Sequence, residues 1–308
     1  MSKKIQNIVI LKGGWNSERE VSLMSAKSVA QAARDLGYCV KEVDVKRDLI
    51  DLVQHLTPKP DVVINILHGS WGEDGRIQAV LDILGIPYTF SNYLASAMAM
   101  DKPTACTLMK AAGLPIAQGK EFKFSELSFN TPPFPYPFVI KPPCEGSSVG
   151  VSLIFEEKDY HTALKNWNFG ERVFIEKYIP GLELSTAVMG DQPLGTLCLC
   201  PKTGFYDYER KYTDGLTEHI MPAPISEDHY QLSLDLARQA VKLLGCTGIS
   251  RVDFRYNKED KIHPLRILEV NTQPGMTKLS IVPEIAAYQG LSFHDIVKWM
   301  IENAICHG

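Results

Sequence analysis

Short apolar segments alternate with helix-like segments through the first third of the chain, and this alternation limits what the chain can fold into. Residues 8–11, 39–45 and 62–67 predict strands. Residues 19–36 and 75–84 predict helices between and after them. Strands that alternate with helices form a parallel sheet through right-handed crossover connections. The sequence therefore predicts an α/β unit at this end of the chain.

Two polar residues follow strands of this unit. Glu18 comes shortly after the first strand, and His68 comes directly after the third. Ligands of parallel sheets bind beyond the carboxyl ends of the strands, so both residues are candidates for a binding site. The Gly13-Gly14 turn differs from the GxGxxG dinucleotide pattern. On its own, His68 also fits a structural histidine whose hydrogen bonds are satisfied internally.

Near the C-terminus, a second pattern predicts a β-hairpin that carries metal ligands. Residues 248–254 and 262–271 alternate between apolar and polar side chains, and the charged segment 257–260 between them predicts a turn. Two carboxylates and one amide of this hairpin suit Mg²⁺, which also keeps positions for water and phosphate oxygens. The alternative is the solvated face of an ordinary hairpin. The three ligands are Asp253, Glu269 and Asn271.

The middle of the chain contains features that suit a nucleotide. Lys141 ends a predicted strand and is followed by the small-residue loop 142–150, in which Cys144 is a candidate accessible thiol. Backbone N–H groups in such a loop can fold over phosphates, and a lysine supplies a point charge. An ordinary turn is the alternative. The segment 172–183 predicts a strand leading to a domain junction, where backbone groups could meet an adenine and Glu183 a ribose.

A long polar segment, 203–222, follows the strands predicted between residues 184 and 199. Long loops inside compact domains are usually functional or disordered. Its tyrosines and paired charges favour an active-site lid over disorder. A helix capped by Ser226 is predicted next, with an apolar face that includes Leu232, Leu236, Ala240 and Leu243.

Composition excludes several classes of function. A chain of 308 residues predicts two or three modules. A net charge of -4 does not favour binding to nucleic acid or to an anionic membrane. The first apolar segment is too short for a signal peptide, and no later run is long enough to span a membrane. Seven cysteines without a CxxC pair fit reduced thiols in a cytoplasm.

Taken together, these segments resemble the D-alanine–D-alanine ligase family of the ATP-grasp superfamily. The resemblance spans nearly the whole chain in the family's order. It departs from common family residues at Asn16, Ala26, Ala79, Phe90 and Cys144. The motifs that carry it are Gly13-Gly14 with 18–23, His68-Gly69 with 72–75, 100–102, Lys141-Pro142 with 145–150, Glu176-Lys177, 206–212 and 269–277.

The family implies an α/β and α+β architecture, the ATP-grasp fold. An N-terminal Rossmann-like parallel-sheet domain would occupy residues 1–100, a central domain 101–183 and a C-terminal domain 184–308, with ATP held between the last two. The implied reaction phosphorylates one D-alanine with ATP, and the amine of a second D-alanine then attacks the acyl phosphate. The dipeptide serves peptidoglycan precursor synthesis. ATP is a substrate, and two Mg²⁺ ions, for which Mn²⁺ can substitute, are implied cofactors. The family also implies a cytoplasmic homodimer that binds neither nucleic acid nor membrane.

The resemblance assigns a role to each motif residue. Glu18 would pair with the ammonium of the first D-alanine, and Tyr212 would lock the lid by bonding Ser147. The catalytic set is Glu18, Ser147, Tyr212 and Arg251, with the Gly275 N–H completing the oxyanion site. The other substrate contacts are His68, Ser280 and Ile281. ATP would be held by Lys102, Lys141, Gly146, Ser148, Glu176, Lys177, Ile179, Glu183 and Lys211, and the metals by Asp253, Glu269 and Asn271.

Two other functions remain possible from the sequence. One is a related ATP-grasp ligase with a different amine or hydroxyl acceptor, for which acceptor preference is the discriminating measurement. Tyr212 favours an amine acceptor on the same resemblance. The other is an ATP-binding regulatory module that has lost catalysis, and it is disfavoured because every expected metal and phosphate ligand is present.

Overall fold

A computed structural model describes residues 5–201, 217–277 and 280–307 of the chain. Lys211 and Tyr212, and with them most of the predicted lid, lie outside the described residues. Within these ranges no helix is both long enough and apolar enough for a membrane span.

The first third forms the predicted parallel sheet, with strand order β2-β1-β3. Ile8 and Ile10 are buried on one face, whereas Val9 and Leu11 are buried on the other, as expected for a parallel sheet covered on both sides. The strands are β1 (Asn7–Gly13), β2 (Cys39–Val45) and β3 (Val62–Asn65), and the helices are α1 (Arg19–Asp35), α2 (Leu49–His55), α3 (Arg76–Ile83) and α4 (Tyr93–Met100).

β3 is shorter than predicted. It ends at Asn65, whose side-chain oxygen accepts a hydrogen bond from Leu67 N at 3.2 Å, so the local turn replaces the end of the ladder.

A four-stranded antiparallel sheet follows, with strand order β4-β7-β5-β6. Asp101 caps the helix that precedes it by accepting a hydrogen bond from Thr104 N. The loop between β5 and β6 is the predicted small-residue loop. The elements are α5 (Lys102–Ala111), β4 (Gly119–Lys123), β5 (Phe138–Lys141), β6 (Ser152–Ile154), α6 (Glu157–Lys165) and β7 (Arg172–Lys177).

The last third is built on a five-stranded sheet with order β10-β9-β8-β11-β12. Its elements are β8 (Leu182–Met189), β9 (Gln192–Pro201), β10 (Thr217–Ile220), α7 (Glu227–Leu243), β11 (Ile249–Tyr256), β12 (Leu265–Asn271), α8 (Ile281–Tyr288) and α9 (Phe293–Glu302). The predicted hairpin is β11–β12, in which Asp253 lies opposite Glu269. β12 begins later than predicted because the Asp260 carboxylate accepts hydrogen bonds from Ile262 N and His263 N and extends the turn.

Two predictions in this part of the chain are wrong. The end of the predicted polar loop is a strand, β10, because Thr217 to Ile220 pair with the edge of β9. The face of α7 that is buried also differs. Leu236 and Ala240 are buried as predicted, whereas Leu232 and Leu243 are 37% and 39% exposed. The helix also buries Ser233, Ala237 and Val241 against the third sheet.

Candidate active site

Two adjoining clefts contain most of the predicted site residues. Both are lined by Lys102, Glu145 and Glu269, so the clefts meet at these three residues. The first cleft also holds Glu18, His68, Gly146, Ser147, Arg251, Asn271 and Gly275. The second also holds Lys141, Ser148, Glu176, Lys177, Ile179, Glu183 and Asp253.

Two predicted substrate residues do not line either cleft. Ser280 lies close to the first cleft, since a Cβ on Gly275 would stand 3.2 Å from its hydroxyl oxygen. That hydroxyl is already engaged by Thr277, whose N–H donates to it at 3.0 Å. Ile281 begins α8 and packs in the core with Ile285. Its predicted contact with the second D-alanine remains a prediction.

Glu18 is a buried carboxylate at the N-terminal cap position of α1. Burial raises the pKa of Glu18, the nearby Glu73 raises it further, and the hydrogen bond from Ser147 opposes the shift. Ser147 Oγ lies 2.5 Å from Glu18 Oε1, so the loop after β5 contacts the start of α1. A carboxylate held in a cleft under these conditions suits an ammonium ligand, which restores the charge balance.

His68 points one ring nitrogen at a carboxylate and leaves the other for a ligand. Its Nδ1 lies 2.9 Å from Glu73 Oε1. Its Nε2 is buried and finds no hydrogen-bond partner within the described part of the chain. Buried polar atoms are normally satisfied, so an orphaned nitrogen in the wall of a cleft indicates a place for a ligand atom. The structural alternative for His68 would have both nitrogens satisfied.

Asn16 holds Glu18 and His68 together, a role that the sequence did not reveal. Its Nδ2 donates to His68 O at 2.6 Å and to Ser70 O at 2.8 Å. Its Oδ1 accepts from Glu18 N at 2.9 Å. The only signal in the sequence was that Asn16 departs from the residue common in the family.

The loop after β5 holds two serines in the left-handed region of backbone conformation. Ser147 and Ser148 have positive φ angles of 51° and 60°, which non-glycine residues rarely adopt. Such strain persists where the surroundings enforce it, and it clusters at ligand-binding loops. Lys102 fixes the loop at two points, because its N–H donates to Pro143 O at 3.0 Å and its Nζ to Glu145 O at 2.7 Å.

Arg172 supports this loop from the neighbouring strand and was not predicted. Its guanidinium lies 2.6 Å from Asp101 Oδ2 and also pairs with Glu121. Although burial opposes the shift, hydrogen bonds from Arg172 and Thr104 lower the pKa of Asp101 to about 2. Cys144 lies within 3.4 Å of Asp101, and burial followed by this carboxylate raises the pKa of the thiol to about 11.

The second cleft is lined by buried ion pairs. Lys141 Nζ donates to the Glu176 carboxylate, and both side chains are almost fully buried. Burial alone would lower the pKa of Lys141, but Glu176 raises it above its ordinary value. Arg255, which was not predicted, donates to Ile179 O at 3.0 Å and lies 3.3 Å from Glu183.

Of the predicted metal ligands, Glu269 lies where the two clefts meet, Asn271 lines the first cleft and Asp253 lines the second. Asp253 is opposite Glu269 on the paired strand. Asp253 is held by Arg251, which contacts both carboxylate oxygens at 2.8 and 2.7 Å, and by Ser185 at 2.6 Å. Lys102 Nζ lies 3.5 Å from Glu269. Carboxylate and amide oxygens fit a hard cation such as Mg²⁺. Within the described ranges, no three or more His, Cys, Asp or Glu side chains are grouped so that they could hold a metal ion. The proposed metal site therefore needs the amide oxygen of Asn271 as its third ligand.

This chain is similar to known proteins of one enzyme family. The family described as D-ala D-ala ligase C-terminus matches residues 108–302, and the family described as D-ala D-ala ligase N-terminus matches residues 42–91. The D-alanine–D-alanine ligase of Granulibacter bethesdensis is 47% identical over 98% of this chain and 99% of its own length. The ligase of Paramagnetospirillum magneticum is 48% identical over 99% of this chain and all of its own length.

Solved structures show the same fold. The D-alanine–D-alanine ligase of Bacillus anthracis in complex with ATP has a TM-score of 0.83 and 28% identity over 98% of this chain and 97% of that chain. The VanG D-Ala:D-Ser ligase of Enterococcus faecalis has a TM-score of 0.81 and 28% identity over 97% of this chain and 99% of that chain. The predicted ATP-grasp fold is therefore confirmed, and the chain belongs to the D-alanine–D-alanine ligase family.

Proposed function

We propose that this chain joins two molecules of D-alanine into D-alanyl-D-alanine, with conversion of ATP to ADP and phosphate, for peptidoglycan precursor synthesis. The observation that carries the proposal is the junction of the two clefts at Lys102, Glu145 and Glu269. One cleft offers partners for a small zwitterion, and the other offers lysines to a polyphosphate. A phosphoryl group can therefore pass from one ligand to the other at their common boundary.

The first cleft would bind the first D-alanine by its two charged groups. Glu18 would form an ion pair with the ammonium group of this D-alanine, and His68 Nε2 would face its carboxylate. The γ-phosphoryl group of ATP is transferred to a carboxylate oxygen, which gives D-alanyl phosphate and ADP. The amine of the second D-alanine then attacks the acyl carbon, the amide bond forms, and phosphate leaves.

Arg251 and the Gly275 N–H would stabilise the oxyanion of the tetrahedral intermediate. Both line the first cleft. Ser280 and Ile281 would receive the second D-alanine. Tyr212 would close the site over Ser147.

The second cleft would bind ATP. Lys102 and Lys141 would contact the α- and β-phosphates, and Lys211 the γ-phosphate, while the loop with Gly146 and Ser148 covers the chain of phosphates. The adenine would lie against Glu176, Lys177 and the backbone at Ile179, with the ribose on Glu183. All of these except Lys211 line one of the two clefts.

Asp253, Glu269 and Asn271 would hold two Mg²⁺ ions, with Mn²⁺ as a substitute. When bound, the ions neutralise phosphate charge and align the groups that react. Their oxygen donors fit this requirement.

We also propose three domains, 1–100, 101–183 and 184–308, in a homodimer that works in the cytoplasm. Each proposed domain contains one of the three sheets, which supports the division. The boundary near residue 183 falls inside β8, which starts at Leu182, so it lies at a strand rather than in a linker. Sedimentation of the purified chain would test the dimer.

The test of the reaction is ADP release with ATP, Mg²⁺ and D-alanine, together with mass identification of the product. ADP formed in step with D-alanyl-D-alanine, and only with the D-isomer, would support the proposal. L-alanine and a mixture without amino acid are the controls. D-serine and D-lactate, each mixed with D-alanine, test the acceptor. A mixed product made faster than the D-Ala dipeptide would reassign the second substrate.

A further inference from the structure

A cluster of buried amide side chains links the first sheet to the loop after β12. Asn65, Gln78 and Gln273 are each at most 1% exposed. Asn65 Nδ2 donates to Gln273 Oε1 at 2.8 Å, and Gln273 Nε2 donates to Leu67 O. These contacts join positions more than 200 residues apart, since Asn65 and Gln273 are separated by 208 residues.

The same cluster contacts the segments on both sides of the first cleft. Leu67 directly precedes His68, and its carbonyl accepts from Gln273. Asn65 Nδ2 also donates to Gly72 O at 2.9 Å, directly before Glu73, the carboxylate that bonds the His68 ring.

Across the cleft, Gln273 belongs to the turn between the proposed metal ligand Asn271 and the proposed oxyanion donor Gly275. Its N–H donates to Asn271 Oδ1 at 2.9 Å. The Asn65–Gln273 pair therefore contacts both the loop that holds His68 and the turn that follows β12.

The backbone of the His68 loop leaves little room for adjustment. Gly72 packs against Leu67 so closely that a Cβ on Gly72 would lie 2.6 Å from Leu67 Cβ. The carbonyl of Gly72 accepts from Gln78 Nε2 at 2.8 Å as well as from Asn65. Gln273 joins this tightly folded loop to the turn after β12 through its hydrogen bonds with Leu67 and Asn65.

We propose that Asn65 and Gln273 are positioning residues that set the distance between His68 and the turn carrying Gly275, and thereby the fit of the first D-alanine. The proposal rests on the proposed function for the identity of this ligand. Buried amides cost free energy unless they are paired, and a pair of apolar side chains could fill the same space. The paired amides instead fix direction and distance, because each hydrogen bond tolerates only a narrow geometry.

The test replaces Gln273 by methionine, which keeps the length of the side chain and removes both hydrogen bonds. Initial rates are fitted with separate Michaelis constants for the two D-alanine sites and for ATP. We expect the constant for the first D-alanine to rise at least ~10-fold, and that for ATP to change less than ~2-fold, because misplacement of binding groups costs affinity at that site alone. The NMR signals of the ¹⁵N-labelled His68 ring, assigned with His68→Gln, should shift.

Ser233→Ala is the matched control. Ser233 is buried on α7 and bonds Thr196 Oγ1 at 2.7 Å, so its loss removes a buried polar contact without touching either cleft. The melting temperature of the Ser233→Ala variant should fall, while its Michaelis constants and its His68 signals stay at the wild-type values. If Gln273→Met alters no more than this control does, the positioning role is wrong.

A conservative variant covers poor folding of Gln273→Met. Asn65→Ser buries no charge and removes the amide that donates to Gln273 Oε1, so a rise in the same Michaelis constant is expected, and wild-type values would overturn the proposal. The proposed function and the positioning role would be refuted by different results. Wild-type protein that makes no dipeptide would refute the proposed function, whereas unshifted His68 signals in the folded variant would refute the positioning role.

Discussion

The hydroxyl of Ser147 donates a hydrogen bond of 2.5 Å to the carboxylate of Glu18, which lies 129 residues earlier in the chain. Ser147 and Glu18 both line the first cleft, and the next residue of the same loop, Ser148, lines the second. The contact connects the proposed phosphate loop with the proposed amino-acid site. Closure of one around its ligand would therefore order a group of the other.

Replacing Glu18 by glutamine should reduce activity and increase stability. Gln cannot pair with an ammonium group, and the loss of a charged hydrogen bond predicts a fall of about 10- to 100-fold in kcat/KM for the first D-alanine. Burial raises the pKa of Glu18, so keeping this side chain ionised at neutral pH costs free energy in the folded state. Thermal unfolding at pH 7 should show a higher Tm for the variant.

The sign of the Glu18 effect can be checked with pH. The free-energy cost of keeping Glu18 ionised in the folded wild type is fully present above the raised folded pKa. This cost disappears below the ordinary glutamate pKa of about 4.3. The Tm difference between the variant and the wild type should therefore shrink as the pH falls to 4. A variant that is less stable than the wild type at pH 7 would contradict the burial argument.

Replacing Lys141 by methionine should destabilise the fold as well as weaken ATP binding. The change leaves the Glu176 carboxylate buried without its cation, and breaking such a pair costs about 3–5 kcal/mol. The double variant Lys141→Met with Glu176→Gln should recover most of the Tm, because no charge is left unpaired. Calorimetric titration should find weak ATP binding in both. Normal ATP affinity in the double variant would remove Lys141 from the nucleotide site.

Replacing Arg251 by alanine should lower turnover by at least ~10²-fold, as expected for the loss of an oxyanion donor. Arg251 lines the first cleft and not the second, so the affinity for ATP at saturating Mg²⁺ should change little. Arg251→Lys is the matched variant, since it keeps the charge but cannot contact both oxygens of Asp253 in the same way. Near-normal turnover in Arg251→Ala would exclude the oxyanion role.

Cys144 should resist alkylation at pH 8. Its pKa is raised to about 11 by burial and by Asp101, so only roughly a thousandth of the thiol is ionised, and the thiolate is the reactive form. Cys39 is exposed and serves as the internal control. Peptide mass spectrometry after iodoacetamide treatment should find Cys39 modified first. Equal rates at the two cysteines would show that the loop opens readily.

Sequence patterns were sufficient for most of the strands and helices that carry the candidate site. Apolar periodicity and turn residues predicted the parallel sheet, the small-residue loop and the β11–β12 hairpin. The alternation along that hairpin also put Asp253 and Glu269 on paired strands. These features are local, because strand period, turn propensity and side-chain type are properties of neighbouring residues.

Tertiary contacts decided which surfaces are buried. The apolar pattern predicted a helix after Ser226, but the third sheet covers its Ser233–Ala237 side and leaves Leu232 and Leu243 partly exposed. Thr217 to Ile220 form a strand because β9 offers an edge for pairing. A short polar segment has no strong preference of its own, and the available partner sets its conformation.

What the sequence by itself determined, then, is most of the strands and helices and the types of side chain at their ends. Only the tertiary structure decided which of these side chains support one another: Asn16 with His68, Arg172 with Asp101, and Asn65 with Gln273. Their hydrogen bonds join residues 52, 71 and 208 positions apart. No local periodicity encodes such pairs, because they form only when folding brings distant segments to within about 3 Å of each other.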